Sequence, residues 1–132
     1  MTPKIIISFG LAFIMLIITA CQSLGNPSQS REIPPEQLEE FAKCVTEKGW
    51  VMYSSFTCPA CRTQLSLFGK AHVHLKIIEC NPHAPNTQVE LCLKQKIRYT
   101  PTWVGEGNGT QVKRLKGYKE LEDLASITGC PL

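Results

Sequence analysis

The tightest constraint on this chain is a cysteine pair, Cys58-Pro59-Ala60-Cys61, set directly after the apolar run Trp50 to Phe56. The run reads as a buried strand. Pro59 reads as the start of a helix, because a proline at the first helical position gives up only an amide with no intrahelical partner. The pair therefore falls on a strand-to-helix turn, with Cys58 as N-cap and Cys61 one turn in. A later strand-like run, Tyr99-Thr100-Pro101-Thr102-Trp103, carries a proline that a central strand does not tolerate. The unpaired amides and positive dipole end at Cys58 favour its thiolate. A thiol of pKa about 8.5 is about 3% ionised at pH 7, whereas one lowered to about 6 is roughly 90% ionised. Cys58 is the expected attacking sulfur and the more buried Cys61 the resolving one, as thiol–disulfide exchange requires.

The chain has 132 residues and a net charge of +3. Residues 1–20 read as a signal peptide, with Lys4 as its charged start and Ile5 to Ile18 as an apolar stretch too short for a membrane span. Ile18-Thr19-Ala20-Cys21 resembles a bacterial lipobox. That resemblance implies lipidation of Cys21 and a lipid-anchored protein facing the periplasm of the bacterial cell envelope. An ordinary signal peptide cut nearby, or an uncleaved anchor, is the alternative. Residues 21–34, rich in Ser, Gln, Asn and Pro, read as a flexible tether, leaving 35–132 as one domain with one core.

Helical periodicity in Leu38, Phe41, Ala42 and Val45 places a first helix from Pro34-Pro35 to about Lys48, ended by Gly49. Val51 to Phe56 is the first expected strand. A helix carrying the cysteines follows to about Lys70, with Leu65 and Phe68 inward. Val73 to Glu79 reads as the second strand and Cys80 to Asn86 as a loop. Thr87-x-x-Glu90 fits a capping box for a helix to about Lys96 that turns Val89, Cys92 and Leu93 inward. Thr102 to Val104 and Gln111 to Leu115 are expected as a closing hairpin with an Asn108-Gly109 turn. A last helix shows Leu121, Leu124, Ala125 and Thr128 on one face and stops at Gly129. The order α-β-α-β-α-β-β-α predicts an α/β thioredoxin-like fold, with a central mixed four-stranded sheet flanked by helices.

Several segments, in order, resemble the thioredoxin-like domain fused to bacterial and plant homologues of vitamin K epoxide reductase. They are Val51 to Cys61, Leu67-Phe68-Gly69-Lys70, Glu79-Cys80-Asn81-Pro82-His83 and Pro101-Thr102-Trp103. The resemblance implies a Cys58/Cys61 redox cycle on exported proteins with cysteines, electrons passing to a quinone-linked membrane oxidase, and no cofactor. It also implies a cis Pro101 that sets the Thr100 backbone beside the Cys58 sulfur, to pair with an incoming peptide and to exclude metal. Three departures stand out: Thr57 where an aromatic residue usually precedes the first cysteine, Thr100 where the fused domains often have Tyr, and no bundle of transmembrane helices. A separate oxidase is therefore expected. Reducing thioredoxins carry a buried acid at the position of Met52, and the strongest periplasmic oxidases carry a His that Pro59-Ala60 lacks. An intermediate potential follows, with about 30 mV corresponding to about 1.4 kcal/mol.

Seven cysteines are an odd count until Cys21 is assigned to lipid. Cys44, Cys80, Cys92 and Cys130 then allow three pairings. Their positions suggest Cys80 with Cys92, and by elimination Cys44 with Cys130. Buried free thiols, or a second relay through Cys80 and Cys92, are the alternatives. His72 and His74 alternate on the expected second strand, but with His83 they complete no tetrahedral metal set. Lys113-Arg114-Leu115-Lys116 reads as a solvated strand edge and not a nucleic-acid patch. With no dimerisation stalk visible, a monomer is expected. The competing function is a non-catalytic binding or copper-delivery lipoprotein on the same fold.

Overall fold

The computed structural model describes residues 32–106 and 112–132. The expected signal peptide, Cys21, most of the expected tether and the expected Asn108-Gly109 turn lie outside the described residues. Helix α1 (Pro35–Glu47) opens the domain with a proline in its first turn. Its Phe41, Ala42 and Val45 are buried and Leu38 is half-buried. Gly49, at φ +78, takes the left-handed conformation that turns the chain from α1 into β1 (Val51–Ser54). Helix α2 (Pro59–Leu67) carries the cysteine turn. Strand β2 (Ile77–Glu79), helix α3 (Val89–Lys94), strands β3 (Thr102–Glu106) and β4 (Val112–Lys116), and helix α4 (Leu121–Thr128) complete the order. Helix α4 ends on Gly129, which is left-handed at φ +68. Among the described residues no helix is long and apolar enough to cross a membrane.

The sheet order is β2-β1-β3-β4. β1 runs parallel to β2, with Tyr53 opposite Ile78, and antiparallel to β3, with Met52 opposite Trp103. β3 and β4 form an antiparallel pair with Trp103 opposite Leu115. This is a thioredoxin-like fold with a mixed four-stranded sheet and helices about it. Strand alternation sorts the core by face. Trp50, Met52 and Trp103 pack with Phe41, Val45, Phe68 and Leu124, beneath α1, α2 and α4. Tyr53, Ile78 and Val104 point the other way and meet Cys92 of α3. Phe41 and Phe68 stack at 5.7 Å between ring centroids, and Phe68 leans on Trp103 at 6.3 Å. A Cβ on Gly105 would run into the Trp50 ring, so this strand position has room only for glycine.

Five sequence expectations fail locally. The first strand stops at Ser54 instead of Phe56, and Phe56 is exposed. The second strand is only Ile77–Glu79, because Gly69–His74 winds into a 3-10 helix that buries Ala71. His72 and His74 therefore do not share a strand face. His72 Nδ1 lies 2.6 Å from the Gly69 carbonyl, and His74 faces Glu39 at 3.4 Å. The Thr87 capping box does not form: the Gln88 amide bonds the Glu79 carbonyl at 2.8 Å, and α3 starts at Val89 without a side-chain cap. Leu93 is exposed, and Cys92 alone of α3 is buried.

Candidate active site

The site forms where β1 ends. The chain leaves Ser54, turns through Ser55-Phe56-Thr57 with the Cys58 amide bonded to the Ser55 carbonyl at 3.0 Å, and enters α2 at Pro59. Cys58 is the N-cap, in extended conformation, and its sulfur accepts the Cys61 amide at 3.2 Å. Cys58 is half-buried; Cys61 is only 1% exposed. Both are free thiols.

Opposite them the chain enters β3 through a cis Thr100–Pro101 bond. Pro101 is buried, and its carbonyl accepts the Gly117 amide at 2.8 Å. The proline lies just before Thr102, so the strand it introduces keeps its own amides for pairing. The Thr100 carbonyl lies 3.3 Å from Cys58 Sγ, where it accepts the thiol proton when that sulfur is protonated. Cys58, Cys61, Thr100 and Pro101 are thus brought together from segments far apart in sequence.

The two sulfurs are pulled in opposite directions. Burial is the largest influence on Cys58 and opposes ionisation. Hydrogen bonds from the Cys61 thiol, the Thr100 hydroxyl and the Cys61 and Ala60 amides together outweigh it, and hold the thiol below its ordinary value. Burial pushes Cys61 up, and donating its proton towards Cys58 pushes it further; the Ser54 hydroxyl, Ser55 amide and Thr100 hydroxyl oppose this without overcoming it. The accessible sulfur thus gives up its proton more readily than the buried one, the order that exchange chemistry needs.

Some contributors carry no sequence signal of their own. Ser54, 4% exposed, brings its hydroxyl to Cys61 from the end of β1. Asn81 reaches the Thr57 hydroxyl at 3.2 Å, and Ser55 and Thr57 bond at 2.9 Å, so polar groups edge the turn ahead of Cys58. Gln64, fully buried in α2, accepts the Lys119 amide at 2.8 Å and donates to its carbonyl at 2.9 Å. Met52 is fully buried, and the buried polar side chains among the described residues are Ser54, Gln64, Thr102 and Thr128, none of them acidic.

The other four cysteines are bonded. Cys44 of α1 joins Cys130 just past α4, across a sequence separation of 86. Cys80, after β2, joins Cys92 in α3 across a separation of 12. Among the described residues no group of three or more His, Cys, Asp or Glu is gathered as for a metal.

No family model matches the chain. It is 31% identical over 133 aligned residues to the thiol-disulfide oxidoreductase LTO1 of Arabidopsis thaliana, an alignment covering 87% of this chain and 34% of that protein. The chain thus spans about a third of the length of this curated relative. It also resembles the crystal structure of chloroplastic thioredoxin z, at TM-score 0.44 and 18% identity over 74% of this chain and 88% of that one.

Proposed function

We propose that this chain is a protein thiol–disulfide oxidoreductase of the bacterial cell envelope, anchored by lipid on Cys21 and acting on exported proteins. The observation that carries the reading is the Cys58 sulfur: accessible, fed by the Cys61 amide at 3.2 Å, and 3.3 Å from the Thr100 carbonyl. The similarity to an oxidoreductase supports the same chemistry.

In the reductive direction the Cys58 thiolate attacks one sulfur of a client disulfide. A Cys58–client bond forms, and the other client sulfur leaves as thiolate and takes up a proton. Cys61 loses its proton and attacks Cys58, releasing the second client thiol. The client gains two electrons and Cys58–Cys61 becomes a disulfide. In the oxidative direction the steps reverse: the client dithiol is oxidised as Cys58–Cys61 is reduced, and a separate quinone-linked membrane oxidase then removes two electrons, with two protons released, from the Cys58/Cys61 dithiol to restore its disulfide. Among the described residues no acid is buried behind Cys61 to take its proton. That supports work in the oxidising or isomerising direction over rapid general reduction.

Cys61→Ser tests the reading. With the resolving sulfur gone, the Cys58–client bond persists, and exported proteins are expected as mixed disulfides on non-reducing gels. An empty trap, together with stoichiometric Cu(I) binding by the wild-type dithiol, would favour a copper-delivery role instead. Cys21→Ser is expected to abolish lipid incorporation and release the chain from membranes.

A further inference from the structure

The half of the site beyond Thr100 carries a charge imbalance that the redox chemistry does not use. Between Leu91 and Lys119 the chain places seven of its 14 cations and, of its 11 acids, Glu106 alone. Folding gathers four of the cations. Lys96 and Arg98 follow α3, while Arg114 and Lys116 share one face of β4 by strand alternation. With Ile97 and Tyr99 they line a cavity of about 360 Å³. Its floor is ordered. Arg114 donates to the Gln95 carbonyl at 2.8 Å and side-chain oxygen at 3.0 Å, and Lys116 Nζ sits 5.5 Å over the Tyr99 ring. Lys96, Arg98, Lys116 and Tyr99 are exposed. Among the described residues the ion pairs are those of Glu39 with Lys43 and His74, so none of the four cations has an acidic partner there.

The cavity shares three lining residues with a hollow nearer the sulfur. Ile97, Arg98 and Tyr99 also line a second hollow of about 240 Å³, whose other walls include Thr100 and Ser55. Thr100 in turn touches Cys58. A peptide held along the Thr100 backbone with its cysteine at Cys58 would run its neighbouring residues over Arg98 and Tyr99 into the basic cavity. We infer that this groove selects client segments with acidic residues beside the reacting cysteine, the aromatic ring and Ile97 taking apolar stems and the four cations the carboxylates. The inference rests on the exchange reading proposed above and names its substrate class.

The test uses the full chain in detergent and two synthetic peptide disulfides of equal length, with Glu or Lys around the cysteine, at low ionic strength. The Glu peptide is expected to react roughly ten-fold faster, the ratio falling towards unity in 0.5 M salt as the charges are screened. Lys96→Gln/Arg98→Gln/Lys116→Gln, which spares the Arg114–Gln95 tie, is expected to bring the ratio close to one at low salt. Because the ratio is taken within one preparation, a general change in reactivity cancels. Lys116→Glu alone is the second variant, expected to shift the ratio the same way by a smaller factor. Equal rates for both peptides, or a preference that survives in both variants, would overturn the inference. Cysteine-free Glu and Lys peptides, with Ser at the reacting position, separate docking from chemistry by anisotropy. A Glu preference there, with no exchange even with bis(2-hydroxyethyl) disulfide, supports the groove and overturns the redox reading. Equal peptide binding, with attachment to phosphatidylglycerol vesicles that the triple variant weakens, assigns the groove to a membrane surface and overturns the inference.

Discussion

The Cys58/Cys61 turn and the Cys44–Cys130 bridge use the same element to opposite ends. The first pair is three residues apart, stands at the mouth of a sheet and has one sulfur open to solvent. The second is 86 residues apart and ties the first helix to the segment after the last. A link across a long loop removes much of the freedom of the unfolded chain, whereas a link across one helical turn removes little. Sequence separation thus assigns one pair to holding the fold and leaves the other free to open and close at small cost to it. Cys80–Cys92 lies between these extremes, a short loop next to the site.

Cys58→Ser should break the comparison most sharply: exchange with a peptide disulfide falls below detection, while the thermal midpoint moves by no more than a few degrees. Cys44→Ser/Cys130→Ser should do the converse. The chain-entropy model gives a loss of about 4–5 kcal/mol, read by urea denaturation, with exchange retained by the molecules that remain folded. A double variant as stable as the parent would remove the structural half of the contrast. Cys80→Ser/Cys92→Ser should cost about 3 kcal/mol by the same reasoning. If instead it abolishes turnover without loss of stability, the bridge beside the site belongs to the redox cycle.

The smallest expected effect is in pH. Cys58 is held below an ordinary thiol, so its contribution to the stability of the reduced form is lost as pH falls through its folded value and is fully present above the unfolded value. Cys61 is raised, so its contribution is present below the unfolded value and lost as pH climbs through its folded one. The reduced chain should gain stability relative to the disulfide form as pH approaches the ordinary thiol value, and lose it above. Alkylation should follow the same split, with Cys58 modified at lower pH than Cys61. A single shared midpoint would contradict the division of roles between the two sulfurs.

What could be read from the sequence was carried by local signals. Pro59 after a cysteine, Pro101 in a β-rich run, Gly49 and Gly129 after periodic helices each limit the backbone by their own chemistry, and the elements they bound lie where expected. Where the fold overrides local preference, the reading fails. Val73-His74-Leu75 has the alternation of a strand, yet Ala71 and Leu75 are drawn into the core and the segment before Leu75 coils. Thr87 had the spacing of a cap, but the next residue's amide is taken by Glu79. The partners of the two sulfurs lie at both extremes: the Cys61 amide on Cys58 follows from spacing alone, whereas the Ser54 hydroxyl on Cys61 depends on where the strand ends. The basic groove was only half visible, because Lys96 and Arg98 meet Arg114 and Lys116 through tertiary folding.

Gln64 gives the site an asymmetry of motion. Its amide grips both main-chain groups of Lys119 and stands 3.5 Å from the Trp103 indole nitrogen. That moors the inner side of the cysteine helix to the stretch leading into α4. Were the two sulfurs to bond, this mooring makes Ser55-Phe56-Thr57 the stretch expected to take up the displacement. Its backbone amides are therefore expected to exchange hydrogen at different rates in the reduced and oxidised chain.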